Sequence, residues 1–213
     1  MNLNGDLASS DALLLLRVAV GQDVPLECLS PGTPLRTHQT SCYNAAGTVI
    51  ACPGTGQDGE LRFGVERSFT DNGDGTITDN VTGLMWEKLS NDGSIHDKDN
   101  EYIWTNAIKK AAQLSAASFA GHDDWRLPNR FELETLVNLA APDPRTFAPF
   151  HIGCQAACTN LTCSCTPSTN LWTSTTTHSG PAQAWTVLFD VGFTDYENKI
   201  SQTHPARVVR TAF

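Results

Sequence analysis

Apolar residues recur along this chain in two registers, and the change from one to the other sets the predicted elements. Phe69, Ile77, Val81 and Leu84 are strand-type residues on either side of Asn72-Gly73-Asp74-Gly75, whose glycines supply the positive-φ positions of a tight hairpin turn. Tyr43, Val49 and Ile50 flank residues 44–47 in the same way and predict a smaller hairpin, with Cys42 and Cys52 facing each other across its ends. The period then lengthens. Trp104, Ala107, Ile108, Ala111 and Leu114 form one stripe of a helix predicted over residues 105–117. A second helix opens at Asn129, a capping residue with Glu132 three positions on to return the bond; Leu133, Leu136, Val137 and Ala140 mark its buried face. Pro142, Pro144 and Pro149 end it. Alternation returns in Trp185, Val187, Phe189 and Val191, and a short final strand falls within residues 206–211. Strands, two helices, a long looped region and further strands make an α+β arrangement. Its expected core is Trp86, Trp104, Trp125, Leu136, Trp185 and Phe189.

Two stretches near the C-terminus show no burial period. Residues 173–178 and 193–204 carry Ser, Thr, His, Tyr, Asn, Lys and Gln, the adaptable hydrogen-bonding composition of recognition loops. The acidic residues around 71–79 invite a calcium reading, but no phase puts oxygen ligands at the first, third, fifth and twelfth positions of a loop with the required glycine, so turn chemistry is preferred.

Composition narrows the function classes. The chain has 213 residues, 40% of them apolar, enough for one core and a short appendage. A net charge of −9 without any Lys/Arg run argues against a phosphate-neutralising groove and against electrostatic capture of sulfated polysaccharide or anionic lipid. Partners are expected to be neutral, cationic or recognised by shape. No stretch is long and apolar enough to span a bilayer, the longest run, 12–20, being interrupted by Arg17.

Seven cysteines fall into two groups, Cys28, Cys42 and Cys52, then Cys154, Cys158, Cys163 and Cys165. This density among Gly, Thr and Ser reads as disulfide stapling in an oxidising, extracellular or cell-surface compartment, with Cys28 left over. Zinc held by the second group, with His151, is the alternative; its spacing lacks the usual Cys-x-x-Cys knuckle, and two disulfides are preferred. No Gly-x-Ser-x-Gly, His-Glu-x-x-His or glycine-rich phosphate loop is present, and His122-Asp123-Asp124 is the nearest approach to a catalytic cluster. The reading is therefore non-enzymatic.

The motifs FTDNGDGTITDNVTGLMWEK, GHDDWRLPNRFELETLVN and LWTSTT…AWTVLFDVGF…ARVVR, in this order over residues 61–213, resemble the C-terminal domain family of the Legionella collagen-like protein. That resemblance implies a C-type-lectin-like fold, with two helices packed on a twisted, mostly antiparallel sheet and ligand contacts made by C-terminal loops. It also implies kinship with retroelement-diversified variable proteins and with adhesins, and a homo-oligomer as one possible state. The Glu-Pro-Asn or Gln-Pro-Asp triplet of calcium-bridged sugar sites is absent, and the cysteines precede Trp172 rather than forming the reactive pair of formylglycine-generating enzymes. At the other end, Asn2, Asn4, Asp6 and Asp11 before a leucine-rich run resemble the second half of a dockerin calcium-loop repeat, with a loop shorter than calcium requires. Ligand binding is expected to need no cofactor, calcium being the one that these residues leave open.

Three segments are thus expected: a dockerin-like leader (1–27), a cysteine-containing hairpin and linker (28–60) and a ligand-binding domain (61–213). The candidate ligand-binding residues are Thr175, Thr176, Thr177, His178, Asp195, Tyr196, Asn198, Lys199, Gln202 and His204. Their ligand is a carbohydrate or a protein, with no nucleic acid and no membrane insertion. A structural assembly module attached through the leader is the rival from another class.

Overall fold

The structure, a computed structural model, describes residues 34–212; the dockerin-like leader and Cys28 lie outside the described residues. The chain is α+β, as its periodicities require. Turn-forming residues generate the strands pairwise. Strands β1 (Cys42–Tyr43) and β2 (Val49–Ile50) form the small hairpin, followed by the single-turn helix α1 (Asp58–Leu61). Strands β3 (Phe69–Asp71), β4 (Thr76–Asp79) and β5 (Leu84–Glu87) make a meander that β9 (Val209–Thr211) completes in the order β3-β4-β5-β9. The turn between β3 and β4 uses its acids locally: Asp71 accepts from the Gly73 N–H and Asp74 from that of Thr76. Asp71 also meets Lys88 at 2.7 Å.

Helices α2 (Trp104–Ala116) and α3 (Arg130–Glu134) intervene before the second sheet, β6 (Asn170–Thr176), β7 (Gln183–Leu188) and β8 (Phe193–Asn198), in that order. All three sheets are antiparallel, so the single sheet expected from sequence is divided. The two larger sheets share a core in which Ile77, Trp86 and Val209 meet Leu133, Leu136, Phe150, Leu171 and Val187. A second cluster joins Ala107 of α2 to Trp172, Ala184, Leu127 and Ala206. The β6-β7-β8 sheet is thereby held from both sides.

Three disulfides, Cys42–Cys52, Cys154–Cys165 and Cys158–Cys163, join all six candidate cysteines. Among the described residues no helix is long and apolar enough to cross a membrane.

The end of α3 departs from its sequence pattern. The capping box of Asn129 and Glu132 forms, but the helix stops at Glu134, and Leu136, Val137 and Ala140 lie beyond it. Tertiary pairing takes over the backbone there. Val137 bridges Thr146, the Thr146 hydroxyl donates to the Leu136 carbonyl at 2.9 Å, and the Asn138 N–H reaches Arg145 O. Sequence periodicity sees apolar spacing, not which partner claims the carbonyls.

The most consequential feature of the interior is polar. Glu87, at the end of β5, is fully buried, and its carboxylate receives Lys110 Nζ of α2 at 2.9 Å, His96 Nδ1 at 2.8 Å and the Val208 N–H at 3.0 Å. Lys110 also donates to Ala206 O at 2.7 Å. Burial pushes the Glu87 carboxyl up, but Lys110 and His96 together outweigh it and hold the group below the ordinary range. Alongside, Arg207 donates to Cys165 O and Thr166 Oγ1, and burial brings its guanidinium down to about 10.

Removing one partner of this cluster leaves an uncompensated buried charge. Lys110→Met is expected to cost about 3–5 kcal/mol in denaturant melts. Adding Glu87→Gln to it should recover part of that loss, and strict additivity of the two would contradict a direct coupling.

Candidate functional site

The site is built on the β6-β7-β8 sheet. Trp172 of β6 is fully buried and donates through Nε1 to Tyr102 O at 2.6 Å, which seats the sheet against the start of α2. Beyond Trp172 the pairing of β6 with β7 slips its register before Thr176. Such a bulge re-aims the residues it contains. Ser174 donates backbone and hydroxyl hydrogens to Pro128 O at 2.7 and 3.1 Å, and the Thr175 hydroxyl accepts from the Arg130 N–H at 3.0 Å. Helix α3 is thus fastened to the sheet by backbone bonds rather than by its length.

Two residues expected in the core, Trp104 and Trp185, are only partly buried, and each carries a cation on its ring. Lys199 Nζ lies 4.1 Å from the Trp104 ring centre, and the Arg130 guanidinium 4.1 Å from that of Trp185. Cations over Trp faces are attracted by the ring quadrupole. Tyr196, 49% exposed, stands edge-on to Trp185 at 5.7 Å. Arg130 is also paired with Glu134 at 2.7 Å.

The candidate ligand-binding residues divide into two groups. Thr176, His178, Tyr196 and Gln202 are exposed, and Lys199 reaches across the sheet to the Thr176 hydroxyl at 2.7 Å and to Pro181 O at 3.0 Å. These residues lie around one end and the outer strand of the sheet. The others serve the framework. Thr177 is buried and donates to Gly180 O at 2.6 Å, and Asn198 caps the turn by accepting from the Ile200 and Ser201 N–H groups. Asp195 accepts from the Tyr196 N–H at 2.8 Å. Thr175 holds α3, and His204 turns inward, its ring 4.9 Å from that of Trp172 and its Nε2 buried without a partner among the described residues.

Sequence reasoning missed the neighbouring groove of about 720 Å³ between α3 and the β7–β8 hairpin, lined among others by Phe131, Val137, Leu139, Val187, Phe193 and Thr194. Phe131 is 74% exposed and Phe193 50%. The signal was present in Arg130-Phe131, an unpaired aromatic next to a cation in the first turn of a capped helix. Residues 173–176 of β6 and 193–198 of β8 carry polar side chains on both faces, a pattern that reads as loop in the sequence although both stretches are strand.

The sulfurs of Cys158, Cys163 and Cys165 come within 4.8 Å of one another, but all are joined in disulfides and none is the thiolate that zinc requires. In the His122-Asp123-Asp124 stretch, Asp124 pairs with Arg210 at 2.6 Å, and the His122 ring faces Trp125 at 6.4 Å. The neighbouring Arg126 forks onto Glu132 at 2.7 and 2.6 Å. Its role is to brace the α3 capping box.

Compared with known protein families, residues 75–210 match the Lcl C-terminal domain. A search of curated proteins finds no match.

Burial holds the His204 imidazole below its ordinary value of about 6.5, against the pull of Glu101. The folded chain therefore binds fewer protons here than the unfolded chain, and this contribution to stability is present above pH about 6.5 and lost as pH falls below it. His204→Gln should flatten that part of the stability profile between about pH 7 and 5 in thermal melts. An unchanged slope would mean that His204 titrates freely.

Proposed function

We propose that this chain, which belongs to the Lcl C-terminal domain family, is a non-enzymatic binding module that presents the open end of its β6-β7-β8 sheet to a carbohydrate or protein ligand. The observation that carries this reading is the contrast within one sheet. Leu171, Trp172, Ala184 and Val187 are fully buried, while Thr176, His178 and Tyr196 project from the same strands and their connection into solvent. A rigid base with exposed, adaptable side chains is what recognition surfaces require, because ordering them on binding costs little further entropy. The cation–ring pairs at Trp104 and Trp185 hold that surface in place.

The family resemblance supports a finer reading: a C-type-lectin-like domain over residues 61–213, preceded by a hairpin and linker (28–60) and a dockerin-like leader (1–27). Disulfides persist in oxidising compartments, which supports a secreted or cell-surface location. A retroelement-diversified variable protein fits the same architecture. The nucleotide sequence tests that point directly, since a near-copy of the last coding segment beside a reverse transcriptase gene should accompany it.

Tyr196→Ala and His178→Ala should each weaken a ligand selected on glycan and protein arrays by roughly tenfold. Their melting temperatures should stay within about 3 °C of the parent. Loss of stability in step with affinity would instead make the two residues structural.

A further inference from the structure

Strand β8 is the outer strand of its sheet, and the phase of its ladder can be fixed. The Lys199 N–H donates to Ala182 O, and the register pairs Glu197 with Ala184, Asp195 with Thr186 and Phe193 with Leu188. Phe193, Asp195 and Glu197 therefore turn their backbone groups towards β7, and Thr194, Tyr196 and Asn198 turn theirs to the open edge. Two of the outward groups are already engaged. The Tyr196 N–H is covered by the Asp195 carboxylate at 2.8 Å, and the Asn198 carbonyl accepts from the Gln202 N–H at 3.2 Å. Among the described residues, the N–H and carbonyl of Thr194 and the carbonyl of Tyr196 have no hydrogen-bond partner.

The two faces of this edge differ in chemistry. Thr194 and Val187 face the apolar groove with Phe131 and Leu139. On the opposite face Asp195 and Glu197 stand two residues apart with no cation in ion-pairing range among the described residues, and burial, then the Asp195 charge, pushes the Glu197 carboxyl up. A second copy of the chain is a poor occupant, because antiparallel pairing centred on Tyr196 sets Asp195 of one copy opposite Glu197 of the other, and the two chains each carry a net charge of −9.

We propose that the β8 edge is a docking rail for an extended segment of a partner polypeptide in which apolar and basic residues alternate. The inference rests on the reading of this sheet as the ligand surface and names its partner class. Apolar side chains of the incoming strand enter the groove beside Phe131, and its Lys or Arg residues meet Asp195 and Glu197. When a basic residue draws the Asp195 carboxylate away, the Tyr196 N–H is released to the new strand. Charge recognition and backbone pairing are then one event.

Short capped peptides of strictly alternating valine and lysine, of alternating valine and glutamate, and of the valine–lysine composition in two blocks test this directly. The alternating lysine peptide should bind saturably and shift the amide resonances of Thr194 and Tyr196, and the other two should not. Thr194→Pro removes an outward N–H without touching the ladder to β7, and it should weaken binding about tenfold or more with melting temperature preserved. Asp195→Asn with Glu197→Gln should do the same. Absent binding, equal binding of the block peptide, or indifference to Thr194→Pro overturns the proposal, as does a concentration-dependent dimer that Thr194→Pro abolishes. Should the rail fail while Tyr196→Ala and His178→Ala still remove the array-selected ligand, the ligand surface stands without it. Should the peptide bind while those variants leave the array ligand unaffected, the rail stands alone.

Discussion

The carboxylate of Glu87 is the constraint around which the molecule is arranged. It belongs to the four-stranded sheet, yet its partners come from α2, from the loop that carries His96 and from the C-terminal segment at Val208. An ionised carboxylate with no water is tolerable only when every lone pair is met in good geometry. That condition fixes where α2 lies relative to β5 and where the chain must return. Nonspecific apolar packing tolerates sliding; a satisfied buried charge does not.

What this cluster locates is the β6-β7-β8 sheet. Lys110 sits on the same face of α2 as Ala107, and Ala107 packs with Trp172. Ala206, whose carbonyl Lys110 engages, belongs to that same apolar cluster. Arg207 then ties the C-terminal segment to Cys165, which is held to Cys154 across the disulfide loop. The strands of the proposed ligand surface are therefore positioned through a chain of contacts running from a buried ion cluster to a buried Trp and only then to solvent. Stiffness at the base leaves the exposed end free to vary in side chain without loss of position.

Legibility from sequence followed the range of the interactions. The two N-terminal hairpins, the capping box of α3 and the Cys42–Cys52 bridge are each decided by residues within a dozen positions, and all were readable. The truncated α3 and the strand character of residues 173–176 and 193–198 depend on partners far along the chain, which periodicity does not record. Lys110 is instructive because the signal was there. Ala107, Lys110, Ala111 and Leu114 have the spacing of one buried stripe, and a lysine on it demands a buried acid. The acid is 23 residues upstream, and no local rule selects Glu87. Likewise, Trp104 and Trp185 read as core by hydrophobicity, and only the structure shows each ring capped by a cation and left partly open.

Charge around the sheet sharpens what such a surface can select. Arg130 is neutralised by Glu134, Arg36 by Glu66 and Arg67 by Asp79, so the cations near the groove have internal partners. Lys199 is held between Thr176, Pro181 and Trp104. The carboxylates of Asp195 and Glu197 stand apart from this pattern, and they lie on a chain whose net charge is −9. An anionic ligand would meet repulsion over distance, and Lys199, the sheet's cation without a carboxylate partner among the described residues, is already held by Thr176, Pro181 and Trp104, whereas a neutral or basic ligand does not meet that repulsion. Asp195 adds a local consequence: by covering the Tyr196 N–H it closes part of an edge that would otherwise pair with any extended chain. Selection in the proposed docking is therefore by exchange of one partner for another, since a segment lacking positive charge leaves that cover in place.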